Sequence, residues 1–311
     1  MGIKNGRASG GRGEAGPRVS LYDEVTTRII GELEQGRIPW VKPWASGDAS
    51  PCLPRNAASG RRYSGINVLL LWAASAANGW AQSCWLTFAQ ALALGGNVRK
   101  GERGTMIVYA DAFVPRNDGG EHTGAAGEDA RPVRFLKRFI VFNVAQCEGL
   151  PEQVAPGPAD PVSEPVPAAD RLIAASGIDY REGGDRAFYV PSVDMVVVPP
   201  RAAFFEPLDY YRILLHEFVH ATGHPSRVGR TLTTDFGSRD YAREELIAEL
   251  GSAFLCAALG IAPTLRHADY LAHWLDILKA DNKAIVRAAS AASRAADWLL
   301  ARTLSEGRAE P

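Results

Sequence analysis

Apolar residues recur at helical spacing over residues 22–34, where Val25, Ile29, Ile30 and Leu33 share one face and Gly36 ends the run. A second helix is expected over 66–77, and a third begins at Leu86, runs to Leu94 and closes on Gly95-Gly96. Residues 105–113 and 134–143 are rich in β-branched and aromatic side chains and predict two strands. Further along, 169–175 predicts a short helix, and 187–190 and 195–198 predict short strands joined by a Pro-Ser turn. Residues 210–222 form an amphipathic pattern through Tyr211, Leu214, Leu215, Phe218 and Val219. A second long helix follows over 243–259, and the Ala-rich end, 270–304, is helical. Helices and strands in separate blocks indicate an α+β chain.

Two stretches interrupt these patterns. Residues 116–132 are polar and Gly-rich, as a loop between the two long strands would be. Residues 151–168 hold six prolines and few large apolar side chains, the composition of an extended linker. The expected organisation is therefore a flexible basic tail (1–18), a first domain (19–150), the linker (151–168) and a second domain (169–311). Charge follows the same division. Residues 1–150 carry 18 Lys+Arg against 13 Asp+Glu, net +5, and the remainder 16 against 22, net −6. A polyanion-facing first domain is the reading this favours.

At 46% apolar and 22% charged residues, the composition is that of a soluble globular protein. No apolar run reaches the roughly 18–20 residues of a membrane span, and the N-terminus lacks the apolar stretch of a signal peptide. A cytoplasmic protein with no membrane partner is expected. Cys52, Cys84, Cys147 and Cys256 are scattered without a CxxC pair, which excludes a Cys-rich zinc site and a disulfide framework as the organising principle.

The chemistry concentrates in His216-Glu217-Phe218-Val219-His220. One helical turn separates the two histidines, so both imidazoles lie on one face and can share a single Zn²⁺ per chain. Glu217, one step round the helix, is placed to act on water as general base and to pass the proton to a leaving amine. A third protein ligand is required, and three residues compete. His224 follows His220 by four residues, about 6 Å further along the axis if the helix continues. Glu245 and Glu249 are four apart on the next helix; such charges usually form a solvated face, but Leu246, Ile247, Leu250 and Phe254 argue that this helix is buried. The spacing Glu245-x-x-Ala248-Glu249 resembles the Glu-x-x-(Ser/Ala)-Asp helix of gluzincin peptidases. That resemblance implies Glu245 as zinc ligand and Glu249 as the carboxylate that orients His216.

In the first domain, aromatic and basic residues interleave: Trp40, Lys42 and Trp44; Arg61, Arg62 and Tyr63; Trp85, then Arg99, Lys100 and Arg103. Flat rings stack on bases while cations track phosphates, which makes these the candidate contacts to single-stranded DNA. Aromatic residues at helical spacing also commonly build cores, and composition alone scarcely separates the two.

Several runs together resemble ArdC-type antirestriction proteins. They are PWVKPW, RNAASGRRYSGINVLLL, WLTFAQALALGGNVRKGERGT and FNVAQCEGLP in the first half, and HEFVHATGHPSRVGR and YAREELIAELGSAFL in the second. The likeness spans about 21–300. It implies two domains, an N-terminal α+β domain that binds single-stranded DNA and a C-terminal zincin-like metallopeptidase domain, in a mobile-element protein that shields incoming DNA from restriction. The related N-terminal domain also occurs on conjugative primases. Two functions follow: a DNA-associated zinc peptidase with a protein substrate, or a non-catalytic single-strand shield whose zinc is only structural. Two histidines, one glutamate and a general base favour an open, catalytic site. A Mg²⁺ nuclease would need clustered carboxylates, which only the helix bearing Glu244, Glu245 and Glu249 could supply.

Overall fold

The computed structural model describes residues 20–41, 52–113, 133–154, 165–232, 235, 237–265 and 270–306. Its first helix, α1 (Leu21–Glu34), starts where Ser20 and Asp23 satisfy each other's backbone amides in a capping box, and it buries Val25, Thr26, Ile29 and Leu33. A two-residue strand β1 (Arg55–Asn56) precedes α2 (Ile66–Asn78), which is buried along its first ten residues and stops at Gly79 in the left-handed conformation, φ +67°. Leu86 ends a short strand, β2 (Cys84–Leu86), and the helix expected over 86–94 is the shorter α3 (Phe88–Ala93). Thr87 ends the one and caps the other through Gln90. After β3 (Asn97–Val98) come the two long strands, β4 (Thr105–Phe113) and β5 (Val133–Asn143), paired antiparallel from Thr105↔Val141 to Phe113↔Val133. The sheet order is β1-β2-β5-β4, and β3 pairs with the short β6 (Cys147–Glu148). On the outer edge of β4, the Asn67 amide donates to Val108 O (2.8 Å) and accepts from Val108 N (2.9 Å), occupying the place of a neighbouring strand.

The second domain opens on α4 (Pro165–Ser176), so the end of the proline-rich run is already helical. Prolines are tolerated there because first-turn amides have no partner within the helix. Three strands, β7 (Asp179–Glu182), β8 (Phe188–Val190) and β9 (Met195–Val198), form a sheet in the order β7-β9-β8, with β7 parallel and β8 antiparallel to the centre. Then come α5 (Pro207–Ala221), α6 (Arg239–Ala258), α7 (Leu271–Ala280) and α8 (Ala284–Glu306). The helical end of the chain is two helices, separated at residues 281–283, where Asp281 is extended.

One hydrophobic core runs through both domains. Trp40 packs edge-on against Trp274 of α7, and Trp72 of α2 against Phe254 of α6, at centroid distances of 6.0 and 5.7 Å. Polar contacts cross the same junction: Thr26 donates to Asn282 O, Asn282 to Asp23, and Gly65 N to Ser293 Oγ. Among the described residues, no helix is long and apolar enough to cross a membrane.

Candidate metal centre

Pro207 starts α5 at a position where a missing amide costs nothing, and the helix buries Tyr210, Tyr211, Leu214, Leu215, Phe218 and Val219. His216 and His220 leave the same face of α5 toward α6, whose first turn is capped by Ser238 accepting from Tyr241 N. The two helices meet closely at Gly251. A Cβ there would lie 2.8 and 2.9 Å from the two γ-carbons of Val219, so glycine sets how near α6 approaches the histidine helix.

Across that contact three donors converge. The Nε2 atoms of His216 and His220 are 3.2 Å apart, and Glu245 places Oε2 3.5 Å from the first and Oε1 3.5 Å from the second. Donors held at about 2.0–2.1 Å from one ion with tetrahedral angles are about 3.3–3.4 Å from each other. The spacing therefore fits a shared divalent ion. The remaining ring nitrogens face carboxylates: His216 Nδ1 lies 3.7 Å from Glu249 Oε2, and His220 Nδ1 lies 3.2 Å from Glu244 Oε1. At hydrogen-bond distance, Glu244 is the kind of partner that fixes the rotation and tautomer of a ligating imidazole, while Glu249 faces its imidazole at a longer range. Glu244 is in turn gripped by Arg230, which also donates to Thr222 Oγ1 and Val219 O at the end of α5. Glu217 is buried in the same helix turn, at 5% exposure.

The electrostatics match a cation site. Glu217, Glu244, Glu245 and Glu249 bring four carboxyl groups to two imidazoles and the Arg230 guanidinium, all buried or nearly so. Burial by itself would raise the Glu245 carboxyl, but the two histidines hold it well below the usual carboxylate range. Burial would likewise lower His220, yet Glu244 and Glu245 outweigh it and push the imidazole up. The Tyr241 hydroxyl is raised by burial and by the charge of Glu245 beside it.

Sequence expectations and geometry part company at several positions. His224 does not join the donor group; its Nδ1 bonds Ser226 Oγ at 2.7 Å and lies 3.8 Å from Asp194. The chain has left the helix by then, turning at Gly223, where a Cβ would meet Leu232 at 2.6 Å. Beside the third donor, Arg243 turns away rather than joining the site: it pairs with the exposed Asp240 and sits about 200° round α6 from Glu245. Glu244 and Arg230 were not foreseen; the signal was a second Glu beside the ligand and an Arg in the conspicuous run after the second His.

The first domain needs a larger correction. Trp40 and Trp85 are fully buried and Tyr63 nearly so, packed in cores from which no ring face can reach a base. Lys42 and Trp44 lie outside the described residues, as do the tail, the 116–132 loop and most of the proline-rich run. Arg61, Arg62, Arg99, Lys100 and Arg103 are exposed, Arg99 being tied to Glu102 and to Ala145 O. The exposed aromatics are others, including Phe88 on α3 and the edge-to-face pair Tyr109–Phe139 on β4 and β5.

Comparison with known proteins covers both domains. Residues 19–142 match the N-terminal domain of anti-restriction factor ArdC, and residues 167–291 match a zincin-like metallopeptidase domain. Protein y4eC of Sinorhizobium fredii is 40% identical over 298 residues, covering 93% of this chain and 94% of its own length. DNA primase TraC of Escherichia coli is 38% identical over 293 residues, and there the match takes up only 27% of the primase. Crystal structures of the antirestriction ArdC protein from plasmid R388 superpose with TM-scores of 0.77 (metal-free) and 0.75 (Mn(II)-bound). Both are 38% identical and cover 92% of this chain, and 99% and 98% of theirs.

Proposed function

The chain belongs to the ArdC family of antirestriction proteins, and from that premise we propose that it binds single-stranded DNA and hydrolyses peptide bonds at the centre built from His216, His220, Glu245 and Glu217. The observation that carries the peptidase half is the donor triangle of two Nε2 atoms and one carboxylate at 3.2–3.5 Å, with a further carboxyl group inside the histidine pair. Three protein ligands leave a coordination position open, as in hydrolytic rather than structural sites.

Zinc suits this donor set, one ion per chain, and the Mn(II)-bound R388 protein is in keeping with a site for divalent ions. When bound, such an ion supplies Lewis acidity toward a carbonyl oxygen and toward water. The rest falls to the chain itself. Glu217 takes a proton from the attacking water and delivers it to the departing amine nitrogen. Glu244 by a hydrogen bond, and Glu249 by its charge at longer range, would keep the two imidazoles turned so that Nε2 rather than Nδ1 would meet a bound ion. Strand β8 lies at the edge of its sheet, so an extended peptide could add alongside it.

A second reading is that the domain pair only coats DNA and the metal is structural. What favours it is the occurrence of the same two-domain region as about a quarter of a DNA primase. Glu217→Gln separates the two. The variant is expected to keep about one equivalent of metal by elemental analysis, to lose cleavage of a quenched-fluorescence peptide library, and to lose protection of unmodified plasmid DNA entering a restricting host. Full protection by Glu217→Gln would establish the shield; retained metal in His216→Ala would remove the site altogether.

A further inference from the structure

Between the first-domain sheet and α8 lies a cleft in two adjoining parts, with volumes of about 240 and 650 Å³. They share Ala110 of β4 and Val286, Ser290 and Arg294 of α8, so the walls come from both domains. Among the described residues, the larger part is lined by four cations, Arg243, Lys283, Arg287 and Arg294, and by no acidic residue. Asp297 is the one acid among the described residues that lines the smaller part. Arg243 and Arg287 are partnered by Asp240 and Asp281. Lys283 and Arg294 form no ion pair among the described residues; the first lies over the Tyr22 ring and the second donates only to Ser290. Tyr109, 47% exposed, also lines the smaller part on the edge strand β4; its ring turns to the sheet face opposite Ala110 and Leu136, where it meets Phe139 edge-on at 5.4 Å. Arg61 and Lys137 lie near that pair.

Two cations with no ion pair among the described residues, in a cleft beside an edge strand whose far face carries exposed rings, match one kind of occupant: a chain of phosphodiesters with unpaired bases. We propose that a single DNA strand lies along this cleft across both domains and turns over the edge of β4, with phosphates held by Arg294, Lys283, Arg287 and Arg243 in the cleft and bases stacked on Tyr109 and Phe139 beyond it. The proposal rests on the single-strand-binding reading above and relocates it. The strand is held as much by α8 and α6 as by the N-terminal domain, and the rings that stack on it are not the tryptophans. Because Arg243 and Glu245 lie on opposite sides of α6, the strand and the metal occupy two faces of one helix.

Fluorescence anisotropy of a labelled oligothymidine with the full chain tests this. Lys283→Glu with Arg294→Glu should weaken binding at least about tenfold, and should reduce the slope of log K against log salt by about 1.4, as expected for two single-strand phosphate contacts. Tyr109→Ala with Phe139→Ala should weaken it about fivefold or more with the salt slope kept. Arg186→Glu, on an exposed loop away from the cleft, controls for net charge and should change binding far less. Metal content and thermal midpoint report whether each variant is folded. If the cleft variants bind like the Arg186→Glu control, the path is wrong while the single-strand reading stands; if the wild type does not bind, both fall. Photo-cross-linking of a bromodeoxyuridine oligonucleotide to the wild type is independent of mutation. Adducts within 283–294 are expected, and adducts confined to residues before 155 would overturn the proposal.

Discussion

His220 meets Glu244 through Nδ1 and the metal triangle through Nε2, and Arg230 holds Glu244 in place for that task. Glu244→Gln keeps the shape and removes the charge. It should lower metal affinity by about 10–100-fold with the fold intact, as should Glu249→Gln on the His216 side, measured by competition with a chromogenic chelator. Proton linkage follows from the same geometry. In the metal-free protein Glu244 and Glu245 raise His220 despite its burial, so the imidazole carries a proton at neutral pH. Metal binding must expel it, so apparent affinity should fall about tenfold per pH unit below the raised value, and calorimetry in buffers of different ionisation enthalpy should show about one proton released. The stability sign is the reverse. A raised histidine stabilises the metal-free fold fully below its unfolded value near 6.5 and loses that contribution as pH rises through the folded value. The metal-free thermal midpoint should therefore decline from pH 6.5 upward. The histidines were legible because a four-residue spacing fixes a shared face whatever else the chain does. Glu244 was not, since only the packing of α6 on α5 decides which acids in an acidic helix turn inward.

The distance between α5 and α6 sets the size of the donor triangle, and Gly251 sets the distance. Alanine there would gain helix propensity, worth about 0.5–1 kcal/mol. Against this, its methyl would sit 2.8 Å from a β-branched side chain on the facing helix, where overpacking costs about 1–3 kcal/mol. Gly251→Ala should thus reduce thermal stability on balance and weaken metal binding more than its stability loss alone explains. Adding Val219→Ala should restore affinity, and failure of that rescue would show that the helix spacing is not what matters. At this scale the long, strongly periodic elements (α1, α2, α5, α6, β4 and β5) were readable to within a few residues. The strands β1, β3 and β6, of two residues each, leave no periodicity to read. Strand β7 is exposed along its whole length, Asp-Tyr-Arg-Glu, so nothing alternates. The break between α7 and α8 escaped because an Ala-rich run hides where one apolar stripe ends and the next begins.

Across the whole molecule, the tryptophans explain both what the sequence misled about and how the chain holds together. Trp40 sits beside a lysine and a proline in a run that suggests a nucleic-acid platform, yet its ring is fully buried against Trp274 of the other domain. No local pattern reveals this, because the partner is more than two hundred residues away. With Trp72 on Phe254 and α1 packed on α7, the two domains share apolar surface that neither could leave exposed. Trp40→Ala should cost about 3–5 kcal/mol, and a double-mutant cycle with Trp274→Ala should return a coupling of about 0.5–1.5 kcal/mol from the ring pair. A shared core also ties the metal to residues far from it. An ion that binds only the folded state stabilises everything that unfolds with its site. Chelation should therefore lower the midpoint of the N-terminal sheet together with that of α5 and α6, followed by hydrogen exchange at β4–β5 amides and at the metal helix. If the β4–β5 amides kept their protection while the metal helix lost it, the two domains would unfold separately, and the continuous core would not couple them.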